Sequence, residues 1–210
     1  MPVIVVANPK GGVGKSTLST NMAGYLARGG HSVMLGDVDR QQSSRHWLSL
    51  RPENLPIIQG WDLQPKEGKN GTIAKPPKGT THMVLDTPAG LHGRKLDDVM
   101  KLADKVLIPL QPSLFDINAT HDFVRELLQH KRKSKVQVAL LAMRVKEGTL
   151  AADQLRGFLG TLDLPVLGQI RDTQNYVHLA AHGLTLWDVA PGRVERDLAQ
   201  WQPITAWLDA

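Results

Sequence analysis

Cysteine is absent from the 210 residues. That excludes disulfides, thiol catalysis and cysteine-based metal sites, and it suits a reducing cytosol. Long apolar runs are missing too: no stretch approaches the roughly 20 residues that a membrane span needs. No basic segment precedes the first apolar run, and Asn8, Pro9 and Lys10 interrupt that run, so a secretory signal is not expected. There is no internal repeat and no linker-like segment. The sequence therefore reads as one domain, residues 1–210, long enough to bury most of its apolar surface unaided. With 41% hydrophobic and 21% charged residues, the composition is that of an ordinary globular protein. An acidic excess is also lacking. The formal net charge is +5, which fits an acidic partner such as DNA, nucleotide or anionic lipid, and equally an ordinary soluble surface.

What is present is an alternation of short apolar runs and helical patterns. Strands are expected at 3–7, 32–36, 55–59, 82–85, 105–110, 136–143 and 165–170. Helices are expected at 16–28, 42–50, 95–103, 116–133, 149–162, 176–182 and 194–208. Residues 62–81, rich in Gly, Pro and Lys, read as a surface excursion. Strands alternating with helices predict an α/β fold, a mainly parallel twisted sheet with helices on both faces. Trp187, Trp201 and Trp207 are expected to pack the last helix on the body.

The stretch PKGGVGKST, Pro9 to Thr17, joins the first strand to the first helix. A phosphate loop G-x-x-x-x-G-K-[ST] wants glycine where Pro9 stands, and Lys10 adds a second lysine. Gly11, Gly12 and Gly14 let the backbone curl, and the amides from Gly11 through Val13 to Thr17 can surround one anion at a helix N-terminus. Lys15 stands where a lysine reaches the β- and γ-phosphates, and Ser16 where a hydroxyl ligates Mg²⁺. The plain alternative is a glycine-rich turn with a surface lysine. A phosphate loop also needs an acidic residue on a neighbouring strand, and Asp86 ends the run HMVLD. Asp37 and Asp39, in GDVDRQQ, form a second carboxylate pair at a strand end. One can aid Mg²⁺ while the other positions the attacking water; the alternative is a turn with two solvated aspartates.

PKGGVGKST, DVDRQQ and VLDTPAG, in this order, resemble the ParA/MinD group of deviant Walker-A ATPases, as do KVLIPLQPS and the tail IRDTQNYVHLAAHGLTLWD. The resemblance covers essentially the whole chain and is strongest to the small ParA partition ATPases, which lack an N-terminal DNA-binding extension. It implies binding of ATP with Mg²⁺, a nucleotide-sandwich homodimer, slow hydrolysis, non-specific DNA binding on the nucleoid and a ParB-type adaptor, in the cytoplasm and without a membrane. Lys10 matches the signature lysine that reaches phosphates across the dimer interface; contact within its own subunit is the alternative. Asp39 matches the catalytic aspartate, and Asp37 the acidic residue before it. Ser16, Asp37 and Asp86 are the implied metal residues. Arg40 replaces a common proline. Met143 sits where many relatives carry an asparagine near the adenine, and with Arg171 it is assigned to the nucleotide.

Lys131, Arg132, Lys133 and Lys135 form a basic run at a helix end, and Arg193 and Arg196 lie near the last helix. They are the candidates for DNA phosphates, although cations at a helix C-terminus also relieve its dipole. The rivals are a MinD-like membrane-cycling ATPase, which needs a basic amphipathic C-terminal helix, a cobyrinate-synthase-type amidoligase, and a scaffold that binds ATP without turnover. No carboxylate cluster accompanies His121, His130 or His178, so zinc is not expected.

Overall fold

Side chains alternate across each strand, and here both sides of the sheet are covered. In the computed structural model, which describes residues 1–38, 42–61, 76–131 and 135–210, β1 (Val3–Val6) is wholly buried. Val3 and Val5 enter one core while Ile4 and Val6 enter the other. The same alternation recurs in β5 (Lys105–Leu110), where Val106, Ile108 and Leu110 face one side and Leu107 the other.

The remaining strands are β2 (Val33–Asp37), β3 (Ile58–Trp61), β4 (His82–Asp86), β6 (Gln137–Val145) and β7 (Val166–Arg171). They form one sheet of seven strands in the order β3-β2-β4-β1-β5-β6-β7. Every pairing is parallel. α1 (Lys15–Arg28), α2 (Ser43–Leu50), α6 (Asn175–Ala180) and α7 (Glu195–Asp209) contribute to one core. α3 (Gly93–Met100), α4 (Leu114–Lys131) and α5 (Leu150–Leu159) contribute to the other. Each fully buried aliphatic side chain contributes about 1.5–3 kcal/mol. The expected α/β architecture is therefore present.

Several boundaries differ from expectation by a few residues, and two of them have local reasons. β3 begins at Ile58 rather than Leu55, because Pro56 has no N–H for a ladder. α5 stops at Leu159, where Gly160 caps it, three residues short of the expected end at Leu162. Most of the expected surface excursion, residues 62–75, lies outside the described residues.

α7 is held at both its side and its end. Trp201, Ile204 and Leu208 are buried in the core, and the Trp201 indole donates to the Tyr176 hydroxyl at 2.9 Å. Lys105 Nζ donates to the Trp207 and Leu208 carbonyl oxygens at 2.6 and 2.9 Å, capping the helix C-terminus. Tyr25 donates to Asp209 at 2.6 Å. Trp187 stacks edge-on against Trp201 with ring centroids 5.0 Å apart, as the tryptophan reading expected of a packed tail.

Candidate nucleotide site

The sheet changes winding direction at β1, which lies between β4 and β5. In open parallel sheets the crevice beyond the strand C-termini at such a point is where ligands bind. The loop from Ala7 to Gly14 occupies that crevice. Asn8 is buried at its start, and its amide donates to the Pro109 carbonyl at 2.8 Å and to Thr120 Oγ1 at 3.1 Å. Asn8 Oδ1 accepts from the Lys10 N–H at 2.8 Å. Gly90 N–H donates to the Pro9 carbonyl at 2.7 Å, and Gln111 Nε2 to the Gly12 carbonyl at 2.8 Å. The loop is thus pinned from β1, β5 and the turn after β4.

Gly14 satisfies two demands at once. Its φ is +96°, in the left-handed region, and an added Cβ would stand 2.8 Å from Met143 Cε. The left-handed backbone is the firmer demand, since the Met143 methyl is the end of a flexible side chain. α1 then starts without a side-chain cap or an acidic residue in its first turn. Its first amides and its dipole therefore favour an anion. Lys15 is only 7% exposed, and its Nζ donates to the Asn8 and Lys10 carbonyl oxygens at 3.0 and 2.7 Å. Lys10, by contrast, is exposed. The two lysines thus differ in setting: one is folded into the loop, the other stands at its rim.

Asp86 ends β4 beside Val6 of β1 and Asp37 of β2. It is 1% exposed. Its Oδ2 accepts from Ser44 Oγ at 2.7 Å, while Oδ1 is buried without a hydrogen-bond partner. Burial pushes its pKa up to about 6, helped by the Asp37 charge; the Ser16 and Ser44 hydroxyls and Lys15 pull the other way. A buried carboxylate oxygen lacking a partner, with Ser16 close by, is an oxygen donor set that fits Mg²⁺. Ser16 and Asp86 would hold the ion, which would supply charge neutralisation for a polyphosphate. Asp37 lies next to them, but its Oδ2 accepts from the Ser44 and Arg45 amides at 2.9 and 3.3 Å, capping α2. Asp39 lies outside the described residues.

Between these parts opens a cavity of about 400 Å³, lined by Gly11, Gly12, Gly14, Lys15, Ser16 and Thr17, and opposite them by Ser43, Thr87, Ala89 and Arg144. A larger cavity of about 600 Å³, bordered by Asn175, His178, His182 and Arg193, has no such loop. The profile of the CobQ/CobB/MinD/ParA nucleotide binding domain matches residues 4–186. The chain belongs to this family. As a CobQ/CobB/MinD/ParA-family protein it is an ATPase built on a nucleotide-binding domain.

Over 202 residues this family member is 28% identical to the maintenance of carboxysome distribution protein A of Halothiobacillus neapolitanus, spanning 92% of the chain and 91% of that protein. It is 36% identical over 118 residues to the chromosome-partitioning ATPase Soj of Thermus thermophilus, a match covering 53% of the chain and 46% of that protein. Among solved structures, a plasmid partition protein of Borrelia burgdorferi bound to AMPPNP aligns with a TM-score of 0.72 at 18% identity, over 98% of both chains. That likeness concerns the fold.

Of the residues assigned to the nucleotide, Lys10, Val13, Met143 and Arg171 do not line the ATPase's cavity. Met143 is 3% exposed and packs under Gly14. Its neighbour Arg144 takes the place at the cavity, with a left-handed φ of +53°. The Arg171 guanidinium is engaged by Asp197, Nε to Oδ1 at 2.6 Å and Nη2 to Oδ2 at 3.2 Å. Val13 is buried, so only its backbone can meet phosphate.

Among the described residues, the basic candidates Lys135, Arg193 and Arg196 do not form one patch within a protomer. Lys135 is exposed just before β6, whose Gln137 pairs with Lys105, the residue that caps the end of α7. Arg193 and Arg196 are exposed at the beginning of α7. The length of that helix, about 20 Å at 1.5 Å per residue, separates them. The Lys131 side chain, Arg132 and Lys133 lie outside the described residues.

Proposed function

We propose that this ATPase positions a large cargo by an ATP-dependent cycle. ATP joins two copies face to face, the dimer holds DNA non-specifically on the nucleoid, and hydrolysis, stimulated by an adaptor protein, releases it. The observation that carries this reading is Lys10. Its backbone N–H and carbonyl are both engaged inside the loop, yet its side chain stands at the rim while Lys15 already serves the interior. Two polyphosphates brought together repel unless cations bridge them, and a rim lysine from each copy supplies those cations.

Arg193, at the cavity that carries His178 and His182, and the exposed Arg196 support DNA contact through phosphate rather than bases. Arg171 is engaged elsewhere. The cargo is a protein assembly or a DNA locus, in keeping with one relative named for carboxysome distribution and another for chromosome partition. A MinD-like membrane cycle is disfavoured, because the apolar face of α7 is committed to the core and its end is capped by Lys105. Among the described residues no helix is long and apolar enough to cross a membrane.

Lys10→Ala is expected to bind ATP within a few-fold of wild type and to lose the ATP-dependent dimer. DNA affinity should fall with it and depend less on salt, because fewer counterions are released. ATP affinity, dimer fraction and DNA affinity are measured on one preparation; a normal dimer overturns the in-trans role. For turnover, Asp39→Ala should keep the ATP dimer and lower steady-state phosphate release at least about tenfold. Undiminished release assigns the water-positioning role elsewhere. Amide formation matched one-to-one by phosphate release, with no release when the amide acceptor is withheld, would favour the amidoligase reading instead.

A further inference from the structure

Ser44 is the fully buried residue that meets both strand-end carboxylates. Its hydroxyl donates to Asp86 Oδ2 at 2.7 Å, and its backbone N–H donates to Asp37 Oδ2 at 2.9 Å. A carboxylate can turn about its Cβ–Cγ bond. A hydrogen bond on Oδ2 stops that rotation and fixes where Oδ1 points. Oδ1 is the oxygen left buried and without a partner.

Ser44 is in turn held by the helix that carries it. Trp47 buries α2 against the core. At the other end of α2, Arg51 Nη1 donates to Asp188 Oδ2 at 2.9 Å and to the Gly183 carbonyl at 3.2 Å, and Nε donates to the Pro56 carbonyl at 3.2 Å. Both side chains of that ion pair are almost fully buried. A Cβ on Gly183 would meet the Leu50 and Arg51 backbone at 2.5 Å, so the chain approaches α2 closely there. α2 is therefore fixed at its far end, independently of the nucleotide.

We infer that Ser44 is a positioning residue for the metal: it holds Asp86 so that Oδ1 faces Ser16 and Mg²⁺, and it registers Asp37 in the same contact. Hydrogen-bonding partners behind metal ligands typically govern 10–100-fold of metal affinity. This rests on the reading of the cavity as a Mg²⁺-nucleotide site. Without Ser44 the loop, Lys15 and the α1 amides remain, so metal-free nucleotide binding is unaffected. What is lost is the gain that Mg²⁺ adds.

The test is calorimetric titration of ADP into full-length protein, with Mg²⁺ and with EDTA. Wild type, Ser44→Ala, Asp86→Asn and the double variant are compared, and thermal melting of each is recorded. The expected result is that Ser44→Ala keeps its metal-free affinity within about twofold and loses roughly tenfold of the Mg²⁺-dependent gain. In the Asp86→Asn background Ser44→Ala adds nothing further, because it acts through Asp86. An undiminished Mg²⁺ gain overturns the proposal. So does an equal loss with and without the metal, which marks a structural role, and so does a loss that adds to that of Asp86→Asn. A wild-type protein whose ADP affinity ignores Mg²⁺ refutes the site reading itself.

Discussion

Lys15→Ala is expected to weaken ATP binding by about 100-fold or more. A charged hydrogen bond in a desolvated setting contributes about 1.5–3 kcal/mol, and a lysine between two phosphates makes at least two such contacts. Each 1.4 kcal/mol is tenfold in affinity. Lys15 is nearly buried, so water cannot replace it cheaply. Its Nζ also bridges the Asn8 and Lys10 carbonyls, so the variant loses a tether of the loop as well as a cation. Calorimetry with ATP and Mg²⁺ reads the loss. Circular dichroism and melting without nucleotide separate a missing charge from a collapsed loop. ATP affinity within twofold of wild type removes the cavity from consideration as the phosphate site.

Asp86→Asn should move fold and site in opposite directions. The carboxyl group has its pKa raised from 3.8 to about 6 by burial. A raised carboxyl pKa means the folded state favours the protonated form and is penalised as the group ionises. The penalty is absent below pH 3.8, grows through the interval up to about 6 and is constant above it. At one pKa unit per 1.36 kcal/mol it reaches about 3 kcal/mol at neutral pH. Asparagine carries no such penalty. The variant should therefore be more stable than wild type at pH 7 without metal, by up to about 3 kcal/mol, and show no advantage near pH 3.5. It should also lose the Mg²⁺-dependent part of nucleotide affinity. Denaturant melts across that pH range decide the first point: equal stability at pH 7 means the carboxylate is better solvated than its surroundings indicate. Together the two effects describe a residue kept for its metal at the expense of the fold.

The parts legible in the sequence were those written in local pattern. Short continuous apolar runs, glycines at the loop and carboxylates at strand ends located β1, β2, β4, Lys15, Ser16 and Asp86. Other parts depend on neighbours far away in the chain. Asn8 reaches a carbonyl 101 residues on, and Ser44 a carboxylate 42 residues on, distances at which no spacing argument operates. Met143 and Arg144 differ by one position, and on a strand that decides which side a residue faces. β6 runs on to Val145, so Met143 turns into the core and Arg144 reaches the cavity. The distribution of the basic residues was not legible for a physical reason: Lys135 and Arg193 lie towards opposite ends of α7, a separation set by the fold and not by composition.

The division of the core has a consequence for how the chain acquires its shape. On the face covered by α3, α4 and α5, the buried residues run from Val3 to Leu164. On the other face they start at Ile4, close to the beginning, and finish with Trp201, Ile204 and Leu208. During synthesis the first face has all its partners well before the second. Asn21 and Tyr25 of α1 wait for Leu186 and Asp209, 165 and 184 residues further on. Long waits between partners slow folding and leave apolar surface open to other chains. The nucleotide loop lies between β1 and α1, and Asn8 at its start waits for Pro109 and Thr120. A nascent chain of this ATPase therefore gains its grip on ATP only after residues far downstream of the loop have been made.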